Sequence, residues 1–447
     1  MKSNHNIRLS MRPVIFGLAK TLCVSLLLVT LVETHFDRSF RTPVYSLFLA
    51  YLIAIGIRSN NFIFTRSVLM GLLCNSFYAV TYFLVGPGSY LMAQVLTVCL
   101  SIPLLYSAMT MMDYDPQEVW GTFRKVQIAI YVALVAELII SFLGYQSVLE
   151  SLLPQGTNRS ELFGYKDRHN TFSAYFDLGY AGLSSLAMID QGFAQFCVML
   201  TIFGIRYFRG PFRISRFIFF VLVPIAMSIA SPAVTSVVIL VVILLASILI
   251  KAYLKIYSRM HVFSWLLGLP LSLYVLYSAD LGFIRSYDLD LFYDIYVEPQ
   301  LNFILSRSFT ENMIGADTRI FEESRQQYEV AFLSYMTATG PVFFLLNVSV
   351  VVGLIFRNIR QVKYLYDNKL TSSEHLEMQI MNLLFIVAML VSSIHYAVIG
   401  TYLGSMVFII NVSLGFYLVR TNTKLISASG RHAGNADAPQ VAIGSPA

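Results

Sequence analysis

The chain has 447 residues, of which 57% are hydrophobic and only 13% are charged, and its mean hydropathy is +0.67. Because soluble proteins carry about 25% charged residues, this composition excludes an ordinary soluble protein and predicts an all-α polytopic membrane protein. The formal net charge of +6 predicts no nucleic-acid partner, because the basic residues lie in short loops between apolar runs, as membrane orientation requires.

Twelve apolar runs of about 15–20 residues follow one another along the chain, and each could form a transmembrane helix. The first run contains Lys20 and ends in "LVETH" without a small-x-small cleavage site, so we expect an uncleaved helix there and not a signal peptide. The runs at 42–57 and 216–231 are the shortest. The predicted spans are 13–32, 42–57, 67–85, 91–109, 127–145, 187–206, 216–231, 234–251, 262–279, 340–357, 379–399 and 402–419.

The sequence contains no motif for a metal, a disulfide or a nucleotide. Its cysteines all fall within apolar runs and none pair at CxxC spacing, which indicates core residues. The loops between the spans contain neither GxGxxG nor GxxxxGK[ST]. We therefore expect no cofactor and no metal. The four cysteines are Cys23, Cys74, Cys99 and Cys197.

The lysines and arginines indicate which ends of the spans face inward. Most of the 31 lie in alternate loops, most densely in "RYFRGPFRISR" at 206–216, and such an excess marks the cytoplasmic side. The sequence therefore predicts both termini inside, and two larger periplasmic loops, about 146–186 and 280–339, that carry amphipathic helices. Residues 1–425 form one predicted membrane domain, and the small, polar residues 426–447 form a predicted disordered cytoplasmic tail.

The second outer loop contains a charged stretch, "LSRSFTENMIGADTRIFEESRQQYEV" at 305–330, with three arginines and five carboxylates. Apolar residues recur at helical spacing from Ile320 to Tyr335, which predicts one amphipathic helix. The stretch has two interpretations, namely surface ion pairs on a helix that lies on the membrane, or arginines that bind the phosphate oxygens of a ligand. The pairs at i,i+4 spacing are Arg319–Glu323 and Arg325–Glu329.

The first outer loop offers further cations in "NRSELFGYKDRHNTFSAYF" at 158–176. Loop cations are usually solvated, but nearly all the outer cations of this chain lie in these two loops, which favours a shared anionic ligand such as a pyrophosphate. Lys20 and Glu137 lie within spans, where charge is costly, and are either site groups or a snorkelling lysine and a buried ion-pair partner. His395, near the outer end of a span, is either a general base or a packing histidine. The loop cations are Arg159, Lys166, Arg168 and His169.

The order and topology of these segments resemble the bacterial O-antigen polymerase and ligase superfamily, the Wzy and WaaL proteins, over most of residues 150–400. The stretch "ELFGYKDRHNTFSAYF" (161–176) is similar to the family's outer-loop pattern R/x-x-G-x-x-x-x-N. The stretch "GADTRIFEESRQQYEVAFLSYMTATGPVFFLL" (315–346) is similar to its closing pattern of a glycine, polar residues, an acidic residue, an apolar run, a glycine and a helix. The outer turn "SPAVTS" (231–236) lacks the arginine common in ligases of the family, which favours a polymerase over a ligase.

The resemblance implies a GT-C-like glycosyltransferase of the bacterial inner membrane. It would join undecaprenyl-pyrophosphate-linked repeat units at the periplasmic face by inverting transfer that needs no metal, with a chain-length regulator and a flippase as further partners. Arginines would neutralise the departing pyrophosphate, and a base would take the proton of the acceptor hydroxyl. The expected phosphate ligands are Arg168, Arg319, Arg325, Arg307 and Arg159, and the candidate bases are His169, Glu323 and His395.

Two other classes of protein are compatible with the composition: a multi-span transporter or glycan flippase, and a structural subunit of an export complex. A transporter would show internal repeats, broken helices or charges at the midplane. In this chain the polar residues gather in two outer loops, which favours chemistry at the outer face. A structural subunit would tolerate the loss of the loop arginines, so only mutation distinguishes it.

Overall fold

The computed structural model describes residues 90–111, 234–255, 293–315, 330–395 and 402–436, together with the single positions 73, 75, 76, 80, 218 and 270. Within these ranges every regular element is helical and none is a strand, which confirms the all-α class for this part of the chain. A π-helical turn, Tyr293–Val297, precedes the third helix. The α-helices are α1 (Tyr90–Met111), α2 (Val234–Leu254), α3 (Glu298–Ser306), α4 (Phe309–Ile314), α5 (Ala331–Thr339), α6 (Pro341–Asp367), α7 (Ser373–His395) and α8 (Tyr402–Ala436).

Two helices, α6 and α7, are long and apolar enough to cross a membrane, with mean hydropathies of 2.1 and 1.8 in their most apolar windows. Only 28% of the α6 window is buried, against 72% of the α7 window, so α7 lies centrally and α6 lies at the periphery. The exposed face of α6 is apolar, as contact with lipid requires. Its exposed apolar residues include Leu345, Leu346, Val350, Val352 and Phe356.

Five of the predicted spans coincide with α1, α2, α6, α7 and α8, and the other predicted spans lie wholly or almost wholly outside the described residues. Two helices continue well past the predicted spans, α6 to Asp367 and α8 to Ala436. Residues 426–436 are therefore helical where the sequence predicted disorder. The physical reason is that adding a residue to an existing helix avoids the unfavourable nucleation step, so a small, polar segment can continue it.

A proline inside α1 is accommodated by side chains from other parts of the chain. Pro103 has no N–H, so the carbonyl of Cys99 loses its helical hydrogen bond. The buried amide of Asn75 donates to that carbonyl at 3.4 Å. Ser413 Oγ on α8 donates to the carbonyl of Ile102 at 3.1 Å, so α8 packs against α1 at the same level.

Buried amides join α7 to α8. Gln379 Nε2 donates to Asn422 Oδ1 at 2.8 Å, and Asn422 Nδ2 donates back to Gln379 Oε1 at 3.2 Å. The ring Nε2 of His375 lies 2.6 Å from Gln379 Nε2, so it accepts the second amide hydrogen. One turn further along, Asn382 Nδ2 donates to the carbonyl of Asn411 at 2.9 Å. Such bonds fix the register of two helices in an apolar environment.

The short helix α5 packs against α1, α6 and α7. It begins after Val330, whose φ of −123° and ψ of 77° are not helical, so the predicted single helix from Ile320 to Tyr335 is wrong: the chain bends before α5 starts. The helix ends at Gly340, whose φ of 83° favours glycine, and Pro341 then begins α6. Because α5 is mostly buried, it lies among the longer helices and not on a surface.

Candidate functional site

Helices α3 and α4 form a compact corner in the predicted outer loop. Asn312 Nδ2 donates to the carbonyl of Ile304 at 2.7 Å, which fixes α4 against the end of α3. Ser308 caps α4 reciprocally, since the N–H of Glu311 donates to Ser308 Oγ at 3.3 Å and the N–H of Ser308 donates to the Glu311 carboxylate at 2.7 Å. Leu305 and Phe309 are exposed on this corner, which is typical of a segment at a membrane interface.

The carboxylate of Glu311 is held in its charged form. The hydroxyl of Ser308 donates to it at 2.7 Å. The side-chain and backbone donors of Ser308 lower the pKa of Glu311 below its ordinary value, and the charge of Arg307 lowers it further. This carboxylate is therefore ionised at neutral pH and acts as the cap of α4, not as a base.

Arg307 lies at the junction of α3 and α4 and has a structural contact of its own. Its Nη2 donates to the carbonyl of Gly315 at 3.0 Å, and its guanidinium lies 5.4 Å from the centre of the Phe303 ring. A guanidinium has five N–H donors, so these contacts orient the side chain and leave other donors for a ligand. Of the predicted phosphate ligands, Arg307 is the one that falls within the described residues.

Gly315 connects this corner to α5. Its φ is 82°, and a Cβ at this position would lie 2.2 Å from the carbonyl oxygen of Ala338 near the end of α5. The backbone of the corner therefore contacts the backbone of α5 directly, with no side chain between them. Ser334 Oγ on α5 also donates to Gln300 Oε1 on α3 at 3.3 Å. The outer corner and α5 thus form one packed unit.

Of the remaining predicted site residues, only His395 falls within the described part of the chain. His395 is the last residue of α7 and is distant in sequence from the α3–α4 corner. The structure thus places Arg307 and His395 on different elements. Lys20, Glu137 and Lys166 lie outside the described residues. So do the other predicted site residues, which are Arg159, Arg168, His169, Arg319, Glu323 and Arg325.

A groove of about 870 Å³ runs between α1, α5, α6 and α8. At one end its wall is formed by Phe332 and Phe344, whose rings pack edge to face 4.6 Å apart. Further along, Tyr106 and Phe416 form a second edge-to-face pair at 6.0 Å. Along α8 the groove extends from Phe408 to Ser427, a rise of about 28 Å. Its length is therefore close to the thickness of a bilayer's hydrocarbon core, about 30 Å.

The two ends of the groove differ chemically. The end beside α5, here called the α5 end, is lined by aromatic and aliphatic side chains. The opposite end, here called the basic end, is lined by three cations, Arg357, Arg420 and Lys424. Sequence reasoning used these residues only to assign orientation. The signal that could have identified them is on α8, where an apolar stripe at helical spacing continues directly into Arg420 and Lys424.

Neither metal chemistry nor a known relative adds to this geometry. Among the described residues, no group of three or more histidine, cysteine, aspartate or glutamate side chains could hold a metal ion. No protein-family model, curated protein or solved structure matches the chain. The groove, the outer corner and the distribution of charge are therefore the features that bear on function.

Proposed function

We propose that the chain is a polytopic protein of the bacterial inner membrane with about twelve spans, both termini inside and a GT-C-like arrangement. The support is the composition, the alternation of basic loops and the two helices that are long and apolar enough to cross a membrane. In this orientation α6 runs inward from the periplasmic side. The α5 end of the groove is then periplasmic and the basic end is cytoplasmic.

A cysteine-labelling experiment tests this orientation. In a chain whose four native cysteines have been replaced, Thr310→Cys on the exposed surface of α4 should react with a membrane-impermeant thiol reagent in intact spheroplasts. Lys369→Cys, exposed after the end of α6, is the matched control and should react only after the membrane is opened. Labelling of Lys369→Cys alone in intact cells would invert the proposed topology.

The proposed activity is polymerisation of a surface polysaccharide from repeat units carried on undecaprenyl pyrophosphate. The observation that carries this proposal is that α5, part of the second outer loop, contributes Phe332 and Tyr335 to the wall of a long apolar groove. A polyprenyl chain needs an apolar groove, and its pyrophosphate needs cations at the adjacent interface. The two outer loops contain nearly all the outer arginines and lysines of the chain.

The proposed chemistry is an inverting glycosyl transfer. The hydroxyl of the acceptor sugar attacks the anomeric carbon of the donor glycan, a new carbon–oxygen bond forms, and the bond to the pyrophosphate breaks. The electron pair of that bond leaves with undecaprenyl pyrophosphate, whose growing charge would be stabilised by Arg168, Arg319 and Arg325, with Arg307 and Arg159 as further contacts. The hydroxyl proton would pass to one of the three candidate bases: His169, Glu323 or His395.

Alanine variants of the loop arginines test the activity. Arg168→Ala, Arg319→Ala and Arg325→Ala should each lower polymer synthesis about a hundredfold, which is typical for loss of one group that stabilises developing charge, with unchanged protein in the membrane. Lysine variants should rescue poorly, because an ammonium cannot make the bidentate contact of a guanidinium. Arg41→Ala, an outer arginine outside both large loops, is the control. Normal polymer in all three alanine variants would refute the pyrophosphate site.

A further inference from the structure

The basic end of the groove has no part in the proposed glycosyl transfer, yet it has the features of a binding site. It combines a long apolar channel with three cations at one mouth, Arg357 from α6 and Arg420 and Lys424 from α8. In the proposed orientation this mouth opens at the cytoplasmic surface. The outer arginines lie on the other side of the membrane and cannot reach it.

The sequence of α8 builds this arrangement on one helical face. Phe408, Val412, Phe416 and Val419 recur at spacings of three or four residues and line the groove. Arg420, one turn after Phe416, and Lys424, one turn after Arg420, continue this face. The face therefore changes from apolar to cationic at one level. A molecule with apolar chains and an anionic headgroup would match this face, with its chains against the apolar part and its headgroup against the cations.

On α6 the same transition occurs. The wall residues run from Phe343 through Asn347 and Val350 to Arg357, which stands about 21 Å along the helix from Phe343. Gln361 Nε2, one turn beyond, donates to Thr423 Oγ1 on α8 at 2.9 Å and holds the two helices together at this level. The cations of α6 and α8 are therefore fixed at the same mouth.

No protein carboxylate neutralises these cations within the described part of the chain. Arg357, Arg420 and Lys424 make no ion pair there, whereas Lys363 on another face of α6 pairs with Asp367 at 3.3 Å. Arg420 Nη1 is buried and has no hydrogen-bond partner among the described residues. A buried guanidinium donor without a partner is costly, and an anionic oxygen in the groove would satisfy it.

We propose that the basic end binds an anionic phospholipid of the cytoplasmic leaflet. Its phosphate contacts Arg357, Arg420 and Lys424, and its acyl chains lie in the part of the groove next to the basic end, between α6 and α8, and not at the α5 end. Basic pockets between membrane helices on the cytoplasmic side recognise anionic lipid headgroups by this combination of charge and apolar contact. The inference depends on the orientation proposed above but not on the glycosyl transfer, so loss of polymerase activity would leave it untouched.

Thermal stabilisation of the purified, delipidated full chain in detergent tests the proposal. Phosphatidylglycerol should raise the melting temperature more than phosphatidylcholine with the same acyl chains at the same concentration. In the variant Arg357→Gln/Arg420→Gln/Lys424→Gln the difference between the two lipids should disappear, since each cation near a membrane surface contributes about a fivefold gain in affinity for anionic lipid. The matched control is Arg360→Gln, which removes an exposed cation of α6 that does not line the groove; it should keep the difference.

Three results would overturn the proposal. The first is equal stabilisation of the wild-type chain by the two lipids. The second is a triple variant that responds to phosphatidylglycerol as strongly as the wild type. The third is full stabilisation by glycerol phosphate without acyl chains, which would make the basic end a site for a soluble phosphate compound. Arg357 and Lys424 are exposed and Arg420 is partly exposed, and glutamine is polar and shorter, so the circular dichroism spectrum of the variant should match that of the wild type. If it does not, the single variants provide the same comparison.

Discussion

Gly315→Ala should destabilise the contact between the α3–α4 corner and α5. Gly315 has a φ of 82° and a ψ of −177°, a region that is almost exclusive to glycine and costs other residues roughly 1–3 kcal/mol. A Cβ there would also lie 2.2 Å from the carbonyl oxygen of Ala338, far inside van der Waals contact with a backbone atom that cannot rotate away. Either the α3–α4 corner or the end of α5 must then move, which adds roughly 1–3 kcal/mol.

The combined effect should be about 2–6 kcal/mol, which in a chain of this size corresponds to a fall in melting temperature of roughly 2–6 °C. The assay is thermal unfolding of the purified protein in detergent, together with hydrogen exchange of residues 293–315. Gly353→Ala is the matched control, because a Cβ added at this position of α6 would have no atom within 4 Å. That control should melt at or above the wild-type temperature, since alanine favours helix by up to about 1 kcal/mol. A Gly315→Ala protein that melts like the wild type would refute the contact between the corner and α5.

Four further predictions concern contacts within and between the described helices and at their ends. Ser308→Ala should raise hydrogen exchange in α4 about fivefold, because an N-cap contributes about 1 kcal/mol; unchanged exchange would contradict the capping arrangement. Because the folded-state pKa of Glu311 is lowered, its contribution to α4 is present above the ordinary carboxyl range and is lost as the pH falls through the lowered value; Glu311→Gln should remove this pH dependence, measured by exchange corrected for the intrinsic rate. A double-mutant cycle of Gln379→Ala and Asn422→Ala should give a coupling of about 1 kcal/mol between α7 and α8, and additive effects would mean that their amides do not interact. Arg307→Ala should lower stability by about 1–2 kcal/mol through the lost bond to Gly315, and a wild-type melting temperature would mean that this bond contributes nothing.

The positions of the long helices could be predicted from sequence because they follow from local hydropathy. A run of apolar residues without charge indicates a span, and α1, for example, occupies Tyr90–Met111 where the sequence predicted 91–109. The ends were less predictable. Hydropathy locates only the apolar part of a helix, whereas α6 and α8 continue beyond it to Asp367 and Ala436, because adding a residue to an existing helix avoids the nucleation step.

The features that define the groove depend on contacts between distant parts of the chain, which no local pattern contains. The break at Val330 interrupts a periodicity that continues smoothly in the sequence from Ile320 to Tyr335. Lys251 follows an apolar run in the sequence, where hydropathy alone predicts an exposed cation, but it is buried in the last turn of α2. Arg357 and Arg420 could be read as orientation signals, but their meeting at one mouth of the groove requires the pairing of α6 with α8.

The measurement that tests the central claim most directly is the analysis of lipid-linked saccharides and surface glycan after deletion of the gene. If the chain is a polymerase, long polymer should disappear and single repeat units should accumulate on undecaprenyl pyrophosphate or on the final acceptor. Accumulation of full-length polymer on the carrier lipid would show a ligase instead. If neither pool changes, glycosyl transfer at the outer loops is contradicted, and transport becomes the function to test.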